Sequence, residues 1–280
     1  MTPPLPIRRR TWQRFAWRWA FILGLLWLGA VVVLKSLENR LVYFPLRAAE
    51  SWDPPPDPRT EDVWLTASDG TKLHAWFLPH DGPGAVLVSH GNGGNLSHRG
   101  ALMKNLHRHL GRSVLAYDYP GYGKSDGRPT EAGCYLAGEA AYRWLTDERK
   151  VPADRVVLLG ESLGGGVAVE LATRHDHEAL VLVFTFTSLP AAAKCHYPWV
   201  PCGLLMANRF DNLSKIGQCR RPVFITHGTA DEVVPFRQGE ELFAAANEPK
   251  RFLPLDGVTH NVDLDERFYF ELGRFLDGTK

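Results

Sequence analysis

Ser162 sits in Gly160-Glu161-Ser162-Leu163-Gly164, behind the apolar run Arg155–Leu159 and ahead of the helix-like stretch Leu163–Arg174. A serine hydroxyl is a weak nucleophile until a neighbouring base takes its proton. A sharp strand–turn–helix junction would present that hydroxyl at the end of a sheet, and the flanking glycines lack the Cβ atoms that such a turn would crowd. The helix start behind the serine would favour negative charge developing there. The chemistry this points to is attack on a carbonyl carbon. A glycine-rich turn made only for packing is the competing reading; the strand before it and Gly165-Gly166 after it count against that.

Such a nucleophile needs donors, a base and an acid. His90-Gly91-Asn92-Gly93-Gly94-Asn95 follows another apolar run, Ala85–Ser89. A loop of this kind aims backbone N–H groups at a tetrahedral oxyanion, and the donors assigned here are those of Asn92 and Leu163. No Gly-Lys-Ser/Thr follows, as a phosphate loop would require. For a serine on such a turn the partners come later in the chain, acid before base. Asp231, in His227-Gly228-Thr229-Ala230-Asp231, and His260, in Gly257-Val258-Thr259-His260, meet that order. Asp256 and Asp263 are the fallback acids, and Glu232 reads as a helix-start charge. His90 reads as a brace of its loop. His107, His109, His175 and His177 read as solvated helix residues; their i, i+2 spacing does not suit a metal. No metal and no organic cofactor are implied.

The elements that must carry these side chains follow from the periodicity. Strand-like runs occupy Val63–Thr66, Leu73–Leu78, Ala85–Ser89, Ser113–Tyr117, Arg155–Leu159, Leu180–Phe184, Pro222–Thr226 and Arg251–Leu255. Ser68-Asp69-Gly70 marks a hairpin between the first two. Later runs such as AVLVS and LVLVF are apolar throughout, as strands covered on both faces must be. Helix-like stretches at Ser97–Leu110, Glu131–Asp147, Leu163–Arg174, Phe236–Ala246 and Leu264–Leu276 alternate with them. The expectation is an α/β fold, an eight-stranded, mostly parallel sheet with helices on both faces. Functional groups then collect at the carboxyl ends of the strands.

The first fifty residues differ. They carry 8 Lys+Arg against two carboxylates, which leaves 24 Lys+Arg against 29 Asp+Glu in the rest. The mildly acidic remainder lacks the basic face that nucleic acid requires. Ala20–Leu34 has no charge. Fifteen helical residues span only about 22 Å of a roughly 30 Å hydrocarbon core, so the span extends upstream to Phe15, with Arg18 snorkelling and Trp12, Trp17 and Trp19 at the interface. The alternative is a cleaved signal peptide, and Arg9-Arg10 resembles part of a twin-arginine signal. No small-x-small site follows Gly29-Ala30, however, which favours a transmembrane anchor. Positive charge is denser before the span than after it. That orients the N-terminus to the cytoplasm and the body to the exoplasmic or periplasmic side. Residues 1–50 thus form a basic N-terminus and anchor, 51–59 a Pro-rich linker, and 60–280 the catalytic domain.

Over roughly residues 60–280 the chain resembles the α/β-hydrolase superfamily. Within it, the sequence looks most like membrane-anchored serine hydrolases related to the fungal bud-emergence protein and the mammalian protein depalmitoylases. The carrying segments are Leu41-Val42-Tyr43-Phe44-Pro45, HGNGGNLSHR at 90–99, DYPGYGKSDGRPTE at 118–131, GESLGG at 160–165, RFDNLSKI at 209–216, HGTADEVVP at 227–235 and GVTHN at 257–261. Two departures stand out: Pro120 where similar proteins carry arginine, and no Cys-rich N-terminus. The resemblance implies an α/β-hydrolase fold whose Ser162, Asp231 and His260 hydrolyse an ester or thioester, lipid or lipidated, through an acyl-enzyme. A serine peptidase on the same triad and a silent hydrolase-fold scaffold at a membrane are the alternatives. A minimal cap is expected between Phe184 and Pro222. There Tyr197, Trp199, Leu204, Leu205 and Met206 either line an acyl pocket or serve as core. Cys195 and Cys202 bracket this insertion, either as a disulfide or, with Cys134 and Cys219, as free thiols.

Overall fold

A computed structural model describes residues 9–278, with side chains from Trp12 onward. Arg8 and the side chains of Arg9 and Arg10, part of the expected basic flank, lie outside the described residues. Eight strands form one sheet: β1 Glu61–Thr66, β2 Lys72–Leu78, β3 Ala85–Ser89, β4 Ser113–Tyr117, β5 Val156–Glu161, β6 Ala179–Val183, β7 Val223–Gly228 and β8 Lys250–Leu255. Their spatial order is β1-β2-β4-β3-β5-β6-β7-β8. Only β2 runs against its neighbours β1 and β4; every other pairing is parallel.

Two-sided burial explains the apolar runs. Val86, Val88, Val157, Leu159, Val181 and Val183 face one cluster with Met103, Leu106, Phe268 and Leu272. Those four belong to α2 (Gly100–Leu110) and to the C-terminal helix Glu266–Gly278. Leu87, Leu158, Leu180, Leu182 and Ile225 face the other cluster, with Ala137, Val167, Leu171 and Leu242. The helices there are α3 (Glu131–Arg143), α4 (Leu163–Arg174) and the helix Phe236–Ala245. Every β3 residue is buried, whereas the edge strand β1 alternates between exposed and buried.

The longest helix, α1, spans Arg9–Val42. Thirty-four residues at 1.5 Å each reach about 51 Å, longer than a bilayer's hydrocarbon core. Its stretch Trp12–Val42 is long and apolar enough to cross a membrane. Large side chains from Trp12 to Leu34 are exposed. Its last turns, however, join the body. Glu38 is buried and accepts N–H bonds from Ala207 (2.9 Å), Asn208 (2.7 Å) and the Asn208 side-chain amide (2.9 Å). Tyr43 donates to Asn208 Oδ1 at 2.7 Å. Phe44-Pro45 then pairs with Gly93-Gly94. Glu38→Ala would leave three donors without their acceptor. It is expected to cost about 1–3 kcal/mol and to speed proteolysis within 197–208, read by urea unfolding and limited digestion; Glu38→Gln, keeping one acceptor oxygen, should do less.

The segment Ser51–Pro58, expected as a spacer, lies against the body. Trp52 sets its ring edge-on to His74 and Trp76, with Lys124 over its face at 4.5 Å. Asp53 N–H donates to Ser97 Oγ at 3.0 Å. Stiff proline backbone suits a fixed strap as well as a free one, and the indole supplies burial.

Between β6 and β7 the cap is small: α5 (Leu189–His196) and α6 (Cys202–Leu205). All four cysteines are free thiols, with Cys195 exposed and Cys202 buried. The expectation of solvated histidines fails at two positions. His107 is buried beside the Pro79 carbonyl (3.1 Å), and His177 is buried against the His175 carbonyl (3.0 Å). Each fills the seam where a helix end meets the sheet.

Candidate active site

The carboxyl ends of β3, β5, β7 and β8 bring the expected residues together. Ser162 lies between β5 and α4 with φ 51° and ψ −114°, a conformation that L-residues avoid. Its N–H donates to the Val183 carbonyl at 2.8 Å, and its carbonyl accepts the Thr185 hydroxyl at 2.7 Å. Two bonds from β6 and the loop after it thus hold the strained residue. The turn closes only because its neighbours are small. A Cβ on Gly160 would stand 2.5 Å from the Gly164 carbonyl oxygen, and one on Gly164 would stand 1.9 Å from that of Ser89. The second approach is what seats α4 on the backbone that opens the 90–95 loop. Gly164→Ala should therefore separate the two and cost about 1–3 kcal/mol or more, seen as a lower urea midpoint and poorer soluble yield.

His260 lies beyond β8. Its Nε2 is 3.0 Å from Ser162 Oγ, and its Nδ1 is 2.7 Å from Asp231 Oδ2. A carboxylate oxygen only accepts, so Nδ1 carries the hydrogen and Nε2 is free to take the serine proton. Asp231, just past β7, is buried. Its Oδ1 accepts the N–H groups of Val233 (2.9 Å) and Val234 (2.8 Å). Burial pushes its pKa up, but hydrogen bonds from His227, His260 and Val234 outweigh this and hold the carboxyl well below the usual carboxylate range. Asp256 and Asp263 make no hydrogen bond to His260, whose Nδ1 meets Asp231 instead.

Sequence reasoning missed His227. This buried imidazole points Nε2 at both the Val234 carbonyl (2.8 Å) and Asp231 Oδ2 (3.2 Å). Since the carbonyl can only accept, Nε2 bears the hydrogen, and the Asp231 oxygen that faces His260 is held from a second side. The available signal was a histidine four residues before Asp231, at the end of a strand.

Asn92 and Leu163 both border the hollow in front of Ser162. The Asn92 carbonyl accepts from Phe44 N–H (3.2 Å) and the Tyr122 hydroxyl (2.7 Å), while its side-chain amide donates to the Val42 carbonyl (2.7 Å). Leu163 opens α4, so its N–H belongs to the first turn, where no intrahelical acceptor exists. A Cβ placed on Gly91 would be 3.6 Å from that of Ser162, an ordinary contact. His90 braces this loop. Its Nδ1 lies 2.6 Å from the Gly91 carbonyl, and burial, with Arg99 nearby, pushes its pKa down to about 3. Tyr119, in the segment just beyond β4, donates to the His90 carbonyl at 2.8 Å.

Two hollows flank Ser162 and His260. An apolar one of about 690 Å³ adjoins Ser162, with Tyr197, Leu205 and Met206 among its walls. Trp199, expected there too, is not part of the lining and is 78% exposed. The cap crosses the pocket as an irregular turn, and Tyr197 and Trp199 project to different sides of it. On the far side of His260, His98, Arg99, Glu161 and Asp263 bound a polar hollow of about 320 Å³. The apolar recess thus lies on the Ser162 side and the polar recess on the His260 side.

Comparison with known proteins agrees with this architecture. Residues 84–200 match the family model described as alpha/beta hydrolase fold. The Mycobacterium tuberculosis protein named Rv2307c is 39% identical over 269 residues, covering 92% of this chain and 94% of that one. YfhR of Escherichia coli K12 is 34% identical over 217 residues, covering 73% and 75%. The Arabidopsis thaliana alpha/beta hydrolase domain-containing protein WAV2 is 29% identical, with 78% of each chain covered. Among solved structures, the Pyrococcus furiosus esterase Pf2001 superposes with a TM-score of 0.70 at 21% identity, over 84% of this chain and 99% of that one.

Proposed function

The chain belongs to the α/β-hydrolase family, and on that premise we propose that it is a membrane-anchored serine hydrolase cleaving carboxylic ester or thioester bonds through Ser162. The observation that carries this reading is the single imidazole of His260, within hydrogen-bond reach of both Ser162 Oγ and Asp231 Oδ2. As Oγ attacks the acyl carbon, Nε2 takes its proton and the carbonyl oxygen becomes an oxyanion facing the N–H groups of Asn92 and Leu163. Collapse breaks the bond to the leaving oxygen or sulfur, which receives that proton from Nε2. Water, deprotonated by the same nitrogen, then attacks the acyl-Ser162 ester and restores the hydroxyl. Asp231 fixes the tautomer and offsets the charge on the imidazolium.

The anchor reading of residues 1–50 rests on the exposed apolar surface of α1 and on its built-in end. Glu38, Val42 and Tyr43 are buried in the body, so the helix that carries the apolar run is continuous with the folded domain. The excess of positive charge upstream of the span supports, by the positive-inside rule, an N-terminus in the cytoplasm and residues 60–280 on the exoplasmic or periplasmic side. Fluorophosphonate labelling tests the core of the proposal. Full-length wild type should be labelled and Ser162→Ala should not. Folded wild type that stays unlabelled makes the chain a hydrolase-fold scaffold instead. Faster turnover of aminoacyl amides than of chromogenic acyl esters would make it a peptidase.

A further inference from the structure

The apolar hollow in front of Ser162 has two sources of wall. The cap supplies Leu189, Tyr197, Leu205 and Met206; the end of α1 supplies Leu34 and Leu41. Leu34 is also the last residue of the charge-free run that begins at Trp19. The helix therefore turns from membrane span into pocket wall within two turns, with Lys35 at the changeover, where a lysine suits the headgroup level. Glu38 fixes this arrangement, since its carboxylate holds the Ala207 and Asn208 N–H groups of the cap against α1. On the outside of the same cap segment Trp199 and Leu204 are 78% and 75% exposed. Large apolar and amphipathic side chains clustered beside a spanning helix form a surface for the interfacial layer of a bilayer.

We propose that the substrate is a long-chain acyl ester of a membrane lipid, drawn sideways from the leaflet that α1 leaves. Its acyl chain lies along the Leu34–Leu41 face of α1, inside the cap, and its carbonyl reaches Ser162. This rests on the reading of Ser162 as nucleophile and of α1 as anchor. A volume of about 690 Å³ falls within the roughly 300–1,000 Å³ of pockets that enclose small molecules. Lateral entry keeps the chain's methylenes out of water, whose exposure is the main barrier to extracting a lipid. The cap's outer apolar residues would bring the pocket mouth to the depth of the ester group.

The full-length protein, reconstituted in phosphatidylcholine vesicles, provides the test. A fluorogenic dihexadecanoyl glycerolipid is placed either in the same vesicles or in separate ones, and a water-soluble butyrate ester is assayed in parallel. Lateral entry predicts hydrolysis of the lipid in shared vesicles and at least about tenfold less in separate ones. The double variant Trp199→Ser/Leu204→Ser should lower lipid hydrolysis at least about tenfold and leave butyrate turnover unchanged. Leu41→Trp, which fills the pocket, should lower the ratio of lipid to butyrate turnover by a similar factor. Equal rates in shared and separate vesicles, or an unmoved ratio in Leu41→Trp, overturn the proposal while the serine hydrolase reading stands. Failure of wild type to cleave even the butyrate ester sinks that reading, and this one with it.

Discussion

Replacing Ser162 by glycine should abolish ester hydrolysis and at the same time stabilise the protein. The loss of rate comes from the missing hydroxyl and is expected to be about 10⁴-fold or more, as for removal of a nucleophile that acts as a unit with its base. The gain comes from the backbone. At φ 51° and ψ −114°, Ser162 holds a conformation in which its Cβ is strained, and such residues cost about 1–3 kcal/mol. Glycine relieves this, less the roughly 0.5–1 kcal/mol of extra freedom it gives the unfolded chain. A net gain of up to about 2 kcal/mol should raise Tm by several degrees. Ser162→Ala separates the two effects, because it loses the hydroxyl but keeps the Cβ. Both variants should be equally inactive toward a butyrate ester, and only the glycine variant should melt later in calorimetry. If the alanine variant proves the more stable of the two, the strain account is wrong. Retention of activity by either removes Ser162 from the chemistry.

That strain is also why the site is legible in the sequence. A turn this sharp permits few sequences. Gly160 and Gly164 are required by approaches of 2.5 and 1.9 Å, so the constraint is written in the chain next to the residue it serves. The strands were legible for a similar local reason. Ala85–Ser89 and Ser113–Tyr117, each buried on both faces, carry no polar interruption, and their bounds match the sequence reading. Asp231 and His260 followed from their places just beyond strands and from their order in the chain.

Pairings between distant segments were not legible. Glu38 stands between Lys35 and Arg40 near the end of an apolar helix, and its partners lie about 170 residues further on. Nothing local tells an anchor helix from one whose final turns close a pocket. His227 escaped because its bond to Asp231 depends on how the 228–234 loop curls. Trp199 was misplaced because the cap between α5 and α6 has no regular period from which to infer direction. In each case the deciding partner is remote in sequence, whereas the elbow's constraints are within a few residues. The α1 end has a structural consequence: Glu38 ties the cap to the helix, so α1 and the body are joined by more than the chain itself.

Asp231→Asn should be almost as damaging as loss of the serine, and by a route that the pH dependence of stability can expose. An asparagine can still accept from Val233 and Val234 through its oxygen, but its amide then faces the Nδ1 hydrogen of His260 and the Nε2 hydrogen of His227. One donor must give way. If His260 changes tautomer, Nε2 carries a hydrogen toward Ser162 Oγ and can no longer take its proton, a loss of about 10³–10⁴ in kcat. His227 has no easy alternative, since its Nδ1 is buried without a partner. Stability changes with a definite sign. Hydrogen bonds depress the folded pKa of Asp231 below its ordinary value of 3.8. Its contribution is therefore complete above that value and disappears as pH falls through the folded pKa. Urea midpoints measured across the acid range should show wild type losing stability below about pH 4 more steeply than Asp231→Asn. The two curves should lie furthest apart near neutrality and converge toward low pH. Parallel curves would mean that Asp231 is not the carboxylate these donors hold ionised.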